Sequence, residues 1–283
     1  MKHLVDLLRT QPDVYVHTHD AYRRLKYAID RTARLQNGSF RRQKPTDGLP
    51  MPSPYLAYLV TGQFSLEYYY RNGLLGAECI RSILAKNGLD INAFGAILDF
   101  GCGCGRVLRQ WKNLTGPKIY GCDYNPLLVR WSEKAFAFAN IAKNHGTPPL
   151  PYGDKSFDFV YSISVFTHLP AVLQVPWLRE LARVLKPDGY LLATVHGVTA
   201  ASRLDPMARQ IFDAGELVVV GEDYRGTNLC AAFHPERYIR QVFCKILTVV
   251  DYVPDGAKDA GQDQILFRNL LTTRPTSSIG TCP

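Results

Sequence analysis

The amino-acid sequence predicts an α/β protein in which a mostly parallel sheet begins near residue 95 and a helical segment precedes it. Three observations support this prediction. Apolar stretches of strand length alternate with helical patterns between residues 96 and 195, which is typical of a parallel sheet covered on both faces. A glycine-rich turn follows the first strand pattern. The first 90 residues instead show helical periodicity.

The composition is that of an ordinary globular protein. Of the 283 residues, 46% are hydrophobic and 20% are charged, which suits one large α/β domain with an extension. No apolar run is long enough to span a bilayer. Asp6 lies where a signal peptide would need an apolar core, so we expect a cytoplasmic protein without a transmembrane segment. The seven cysteines are then expected to be reduced thiols.

The net charge of +8 is compatible with nucleic acid, an anionic surface or an acidic small molecule as a partner. The densest basic cluster is Arg41-Arg42-Gln43-Lys44, next to a stretch rich in proline and glycine. A solvated loop explains such a cluster more simply than a binding stripe does. Charge alone therefore selects no partner.

Residues 1–90 are predicted to form a helical cap. Apolar residues at helical spacing indicate a helix over 13–35, and two further helices follow at 55–71 and 74–86. The intervening residues 36–54 are rich in proline and glycine and are predicted to form a loop or linker.

Residues 91–283 are predicted to form the α/β domain. Strands are expected at 96–100, 118–122, 157–162 and 190–195, with helices between them at 106–113, 126–142 and 171–185. After Gly197 the alternation breaks, which indicates an insertion at about 198–234 with short strands at 217–220 and 229–233. A helix from Pro235 and strands at 246–252 and 264–268 complete the domain.

The glycine-rich turn has the character of a loop that binds a cofactor. Residues 97–106 read Ile-Leu-Asp-Phe-Gly-Cys-Gly-Cys-Gly-Arg. Gly101, Gly103 and Gly105 can adopt positive φ and let a ligand touch the backbone. The dinucleotide fingerprint would be Gly-x-Gly-x-x-Gly, with a pyrophosphate at the helix N-terminus. Asp99 would repel a pyrophosphate but suits the ammonium group of an amino acid.

A second acid lies at the tip of the next predicted strand. Asp123 follows Gly101 by 22 residues and can accept hydrogen bonds from both ribose hydroxyls of an adenosine. NAD enzymes share this feature, so it indicates a nucleoside without selecting the cofactor. Cys102, Cys104 and Cys122 lie nearby. A Cys-x-Cys motif without a second pair or a histidine cluster is weak evidence for a metal, and no metal is expected.

Further motifs follow the two acids in a recognisable order. They are Leu150-Pro151 with Asp154 and Ser156-Phe157-Asp158, then His168-Leu169, then Glu180 with Arg183-Val184-Leu185-Lys186-Pro187-Asp188-Gly189. With them, residues 95–197 resemble the class I S-adenosylmethionine-dependent methyltransferases, although Asp188 replaces the usual first glycine of the last motif. The segments 228–235 and 251–264 are similar to a bacterial subgroup that is associated with sugar or cell-surface glycan modification.

The resemblance implies a Rossmann-like sheet of seven strands, the last antiparallel, that binds S-adenosylmethionine and releases S-adenosylhomocysteine. The glycine loop would lie under the methionine moiety, with Asp99 near its ammonium. Asp123 would bind the ribose and Asn144 the adenine, and Ser162 and Ser164 would face the methionine end. The cofactor-binding residues so implied are Asp99, Gly101, Cys102, Gly103, Gly105, Asp123, Tyr124, Asn144, Ser162 and Ser164.

Methyl transfer to a hydroxyl needs a proton acceptor, and imidazole titrates near neutral pH. His196 follows the fifth strand, at the edge of the sheet where acceptors lie. His234 precedes Pro235 at a helix N-terminus, where neutral imidazole is favoured over the cation. These two histidines are the candidates for a general base, with a slight preference for His234. His168 is expected to have a structural or cofactor-side role.

The acceptor is expected to be a small hydroxylated molecule, with a sugar or glycan as its class. Residues 162–165 read Ser-Ile-Ser-Val, where DNA and many RNA amino-methyltransferases carry an Asp/Asn-Pro-Pro-aromatic motif. DNA is therefore not expected, and RNA is disfavoured. An RNA or protein methyltransferase stays open as an alternative, as does a regulatory or scaffold protein that only binds the cofactor. The cap and the insertion favour an enzyme because they could build an acceptor pocket.

Overall fold

A seven-stranded sheet lies at the centre of the computed structural model, which describes residues 12–43, 45–224 and 229–270. Its strands are β1 (Ala96–Phe100), β2 (Lys118–Asp123), β3 (Ala139–Lys143), β4 (Phe157–Ser162), β5 (Leu185–Val195), β8 (Thr248–Ala257) and β9 (Gln262–Arg268). A separate two-stranded sheet pairs β6 (Val218–Val220) with β7 (Ala231–Phe233).

The order of the large sheet is β3-β2-β1-β4-β5-β9-β8. Strands β1 to β5 pair in parallel, and β9 runs antiparallel to both β5 and β8. This arrangement is a Rossmann-like, mostly parallel sheet whose last strand is antiparallel, so the predicted fold class is confirmed. The parallel strands end at one edge, where ligands bind in open α/β sheets.

Successive side chains of each strand point to opposite faces and bury two apolar clusters. On one face, Leu98 and Val160 pack with Trp177 of helix α6 (Ala171–Val184) and with Phe243. Helix α9 (Glu236–Val242) contributes to the same cluster. Ile97 lies on the other face. Both faces are thus covered, as a parallel sheet requires.

Four helices precede the sheet: α1 (Pro12–Ile29), α2 (Arg31–Arg42), α3 (Pro54–Thr61) and α4 (Leu66–Lys86). The predicted helix over 13–35 is in fact interrupted at Asp30, whose carboxylate accepts from the Ala33 N–H and caps α2. The predicted break between 71 and 74 lies instead at residues 62–65, because Gly62 ends α3 with φ 70° and the Ser65 hydroxyl caps α4. Arg41 and Arg42 are therefore helical, and Lys44 lies outside the described residues.

Helix α4 belongs to the core of the sheet. Its residues Ile80, Ile83 and Leu84 pack with Ile97 of β1 and with Leu108. The helix shares this cluster with Leu108 and Trp111. The helix predicted over 106–113 is not formed in full: the structure has only a 3₁₀ turn there, at Leu108–Trp111.

The predicted helix over 126–142 was also too long. Helix α5 (Pro126–Ala135) ends earlier, and Ala139–Lys143 forms the edge strand β3 instead. A short apolar run does not by itself distinguish a helix from a strand. Pairing with β2, which places Ala139 opposite Ile119, decides the outcome.

The insertion after β5 contains helices α7 (Val198–Ala201) and α8 (Pro206–Asp213) and then the small sheet of β6 and β7. The two short strands predicted there are confirmed. Among the described residues, no helix is long and apolar enough to cross a membrane.

Candidate cofactor and acceptor site

The glycine loop turns sharply at the end of β1. Gly101 has a φ of 79°, and Gly103 has a φ of 56°, both in the left-handed region that a side chain disfavours. A Cβ on Gly101 would lie 2.3 Å from Cγ2 of Val165, and one on Gly103 would lie 2.7 Å from Cγ2 of Val60. The loop therefore requires glycine for both its conformation and its space. Its third glycine, Gly105, has a φ of 72°.

Asp123 holds this loop from the end of β2. Its carboxylate accepts hydrogen bonds from the Gly103 N–H at 2.9 Å and from the Asn125 N–H at 2.8 Å. The side chain is only 7% exposed, and burial raises its pKa while the backbone donors oppose that effect. Because each carboxylate oxygen can accept more than one hydrogen bond, Asp123 retains capacity for ribose hydroxyls. Tyr124 follows it and is 46% exposed.

Asp99 is buried in a chain of hydrogen bonds. The Tyr161 hydroxyl donates to Asp99 Oδ2 at 2.7 Å, and Trp111 Nε1 donates to the Tyr161 oxygen at 2.8 Å. Burial raises the pKa of Asp99 to about 7, an effect that the Tyr161 hydrogen bond and the charge of Arg106 only partly offset. A cationic ligand beside this carboxyl would favour its ionised form. Sequence reasoning did not assign Tyr161 or Trp111 to the site.

Unpartnered polar atoms lie near the ends of β2 and β4. Asn144 Oδ1 and Ser162 Oγ are buried without a hydrogen-bond partner, and such groups are rare unless a ligand or water completes them. Asn144 follows the edge strand, where its N–H donates to the Asp123 carbonyl at 3.1 Å. With the two acids, these atoms fit a ligand that carries an ammonium, hydroxyls and a heterocycle. Ser164, in contrast, donates to Gln262 Oε1 at 3.1 Å.

The three cysteines of this region are buried thiols. Burial raises the pKa values of Cys102, Cys104 and Cys122, which disfavours the thiolate form that metals and electrophiles require. Within the described ranges, no group of three or more His, Cys, Asp or Glu residues could hold a metal ion.

The helices before the sheet contact the glycine loop directly. The Tyr69 hydroxyl of α4 donates to the Cys104 carbonyl at 2.5 Å. Arg109, fully buried behind the loop, donates to both carboxylate oxygens of Asp47 at 2.6 and 3.0 Å. No local sequence motif predicts these contacts, because the partners lie far apart in the sequence.

Beyond the ends of β4 and β5, two histidines each form a hydrogen bond with the insertion, to carbonyls two residues apart. His168 Nδ1 lies 2.7 Å from the Cys230 carbonyl oxygen, and His196 Nδ1 lies 3.1 Å from the Ala232 carbonyl oxygen. A carbonyl can only accept, so Nδ1 carries the proton in both neutral rings and Nε2 presents a lone pair. The ring centroids are 6.3 Å apart. Sequence reasoning did not foresee this pairing.

His234 lies behind His196 with no exposed surface. Gln174 Nε2 donates to the Phe166 and Leu169 carbonyls at 3.0 and 2.9 Å, so its Oε1 must be the acceptor towards His234 Nε2 at 3.1 Å. The proton of His234 is thus on Nε2, and Nδ1 is buried without a partner. Burial lowers the pKa of His234 to about 3. The structure places His196 and His234, the two candidates for the general base, next to each other. Of the two, only His196 retains exposed surface, with an exposed fraction of 8%.

Comparisons with known proteins agree with this geometry. Residues 98–193 match a family model described as a methyltransferase domain. The chain is 31% identical over 134 residues to methyltransferase GfsG of Streptomyces halstedii, which covers 44% of this chain and 45% of that protein. It is 32% identical over 108 residues to the probable tRNA methyltransferase 9B of Homo sapiens, covering 38% of this chain and 22% of that protein. The chain spans less than half the length of these curated relatives.

A solved structure supports the fold. The 1,6-didemethyltoxoflavin-N1-methyltransferase of Burkholderia thailandensis, with bound S-adenosylhomocysteine, aligns with a TM-score of 0.51 and 16% identity over 78% of this chain and 92% of that chain. The parallel strands β1 to β5, the glycine loop after β1 and the acid at the end of β2 lie almost entirely within the segment that matches the family model. Residues 98–193 are therefore the core of a class I S-adenosylmethionine-dependent methyltransferase domain.

Proposed function

We propose that the protein transfers a methyl group from S-adenosylmethionine to a hydroxyl of a small acceptor, with a sugar or glycan as the expected class. One observation carries the proposal: His196 is a neutral imidazole with an available Nε2 lone pair, directly after β5. It lies at the same edge of the sheet as the ends of β1 and β2, which carry the two acids. A proton acceptor at this edge is what methylation of a hydroxyl needs.

The residues of the cofactor half have distinct tasks in this proposal. S-adenosylmethionine, when bound, would supply a methyl group on a sulfonium: a nucleophile bonds to the methyl carbon as the carbon–sulfur bond breaks, and S-adenosylhomocysteine leaves. Asp99 holds the ammonium and Asp123 the ribose hydroxyls, beside Tyr124. Asn144 and Ser162 offer their unpartnered polar atoms to the adenine and to the methionine end. The remaining contacts are backbone or short side chains, namely Gly101, Cys102, Gly103, Gly105 and Ser164.

The base is assigned to His196 in place of His234. An alcohol stays protonated at neutral pH, so the acceptor hydroxyl must lose its proton as the methyl group moves. His196 Nε2 accepts that proton while Nδ1–H stays bonded to the Ala232 carbonyl, which fixes the ring. His234 is enclosed, and its backbone N–H donates to the His196 carbonyl at 2.8 Å. We assign it a positioning role behind the base.

Two measurements test the proposal. Calorimetry with S-adenosylhomocysteine is expected to show saturable binding to the full chain, and NAD is expected not to bind. Labelled S-adenosylmethionine is then offered with neutral and acidic sugars and with total tRNA. Transfer to a sugar supports the proposal. Transfer to tRNA alone would show that the acceptor is RNA and not a sugar. A chain that does not bind S-adenosylhomocysteine would contradict the proposal altogether.

Histidine variants then test the base. His196→Gln is expected to lower turnover about 10²- to 10⁴-fold, the range for loss of a general base, without changing affinity for S-adenosylhomocysteine. His168→Gln is the matched control, since its Nδ1 makes the same kind of contact to Cys230. Normal turnover by His196→Gln would remove histidine base catalysis from the proposal.

A further inference from the structure

The insertion carries a cation, Arg203, that has no carboxylate partner among the residues that the structure describes. Arg203 follows helix α7 and is exposed. Its Nε donates to the Ala200 carbonyl at 3.2 Å, and its guanidinium carbon lies 5.7 Å from the ring centroid of Phe233. Arg203 forms no ion pair with any residue in the described part of the chain. A guanidinium presents five donors, and most of those on Arg203 have no acceptor among the described residues.

The same aromatic ring connects this cation to the base. The imidazole of His196 lies 5.1 Å from the Phe233 ring centroid, at an interplanar angle of 34°, and His196 and Phe233 also form an isolated parallel bridge. Phe233 is almost fully buried, so its ring fixes the positions of the Arg203 guanidinium and the His196 imidazole relative to each other. The guanidinium carbon of Arg203 and the imidazole centroid of His196 therefore lie at most about 11 Å apart.

We propose that Arg203 binds an anionic group of the methyl acceptor, a carboxylate or a phosphate, while a hydroxyl of the same molecule meets His196. The acceptor is thus a hydroxylated acid or a phosphorylated hydroxy compound rather than a neutral sugar. The planar donor fork of arginine matches both anions in a bidentate manner. This inference rests on the proposed function, whose acceptor class it narrows.

The electrostatics around the base give the anion a second effect. Burial, then the charges of Arg203 and His168, lower the pKa of His196 to about 4. Among the described residues, the other titratable groups nearby include His234 behind the ring and Asp263, whose carboxylate lies against Gly197. An anion on Arg203 offsets its charge and so raises the basicity of His196 only when the acceptor is present.

Arg209 offers a matched control in the same insertion. Its guanidinium carbon also lies over a ring, 5.8 Å from the Phe212 centroid, but its Nε is paired with Asp213 Oδ1 at 2.8 Å. The two arginines therefore share stacking on a phenyl ring and differ in whether a carboxylate among the described residues already neutralises them.

The test measures anion binding without turnover. The imidazole resonances of His196, assigned with His196→Gln, are followed at pH 6.5 while inorganic phosphate, or in a second arm acetate, replaces chloride at constant ionic strength. Wild type and Arg209→Gln are expected to show a saturable shift. Arg203→Gln is expected to bind about 10- to 100-fold more weakly, the range for loss of charge-assisted hydrogen bonds. The anion that binds more tightly identifies phosphate or carboxylate as the group.

Two results would overturn the inference: no saturable shift in the wild type with either anion, or equal affinity in Arg203→Gln and wild type. Calorimetry with S-adenosylhomocysteine on the same samples keeps the two proposals apart. Anion binding without cofactor binding would reject the proposed function, whereas cofactor binding without anion binding would reject only the role of Arg203.

Discussion

Replacing Asp123 by alanine perturbs the site most directly, because this carboxylate has two tasks. It binds the N–H groups of Gly103 and Asn125, and it is the proposed acceptor for the ribose hydroxyls. The Gly103 N–H is buried in the loop, whereas Asn125 is only partly buried, so water can replace the carboxylate at Asn125 but not at Gly103. Removing the carboxylate is therefore expected to lower both the stability of the protein and its affinity for the cofactor.

The magnitudes follow from those contacts. Leaving the buried Gly103 N–H unpaired costs about 1–3 kcal/mol of unfolding free energy. Losing hydrogen bonds from ribose hydroxyls to a charged acceptor costs roughly 1.5–3 kcal/mol of binding, or about one to two orders of magnitude in affinity. The losses of stability and of affinity in Asp123→Asn are expected to lie between those of Asp123→Ala and zero. Asparagine has one side-chain oxygen, so it can replace only one of the two carboxylate oxygens as an acceptor.

Thermal unfolding and calorimetry with S-adenosylhomocysteine measure the two losses independently. Asp154→Ala is the control, because it removes the same charge from a side chain that is 70% exposed and paired with Arg183. That variant is expected to match the wild type in affinity. If Asp123→Ala binds S-adenosylhomocysteine as tightly as wild type, the assignment of the ribose to Asp123 is refuted. If its melting temperature is also unchanged, the carboxylate does not hold the loop.

Three further predictions concern pH and the residues that precede the sheet. Because the raised pKa of Asp99 is about 7 and an ammonium prefers the ionised carboxylate, affinity for S-adenosylhomocysteine is expected to rise about tenfold between pH 6 and pH 8. Asp99→Asn should bind weakly and without this pH dependence, and a flat wild-type profile would contradict the role of Asp99. Deleting residues 1–50 is expected to abolish methyl transfer while cofactor binding stays measurable, and full turnover would show that these residues are dispensable. Deletion of 1–43 should melt at a higher temperature than deletion of 1–50, because only the longer deletion removes Asp47 and leaves the buried guanidinium of Arg109 unpaired, at a cost of about 3–5 kcal/mol.

Local patterns in the sequence were enough to predict four of the five parallel strands, the glycine loop and the acids at positions 99 and 123. Each of these features depends on residues that are neighbours in the chain. A strand needs a short apolar run, a tight turn needs glycine, and the end of a strand places the next polar residue at the edge of the sheet. The short apolar run that forms β3 was misassigned for the same reason, since its neighbours fit a helix equally well and only pairing with β2 decided the matter.

Tertiary structure alone decided the environment of each reactive group. Asp99 meets Tyr161, 62 residues away, and His196 meets the Ala232 carbonyl, 36 residues away. His234 and His196 look alike as sequence candidates, yet folding encloses one and leaves the other with exposed surface. The alignment of Arg203 with His196 across Phe233 has the same origin. Burial, tautomer and pKa arise from atoms that long-range packing brings together, so residue type and spacing can nominate such groups but cannot rank them.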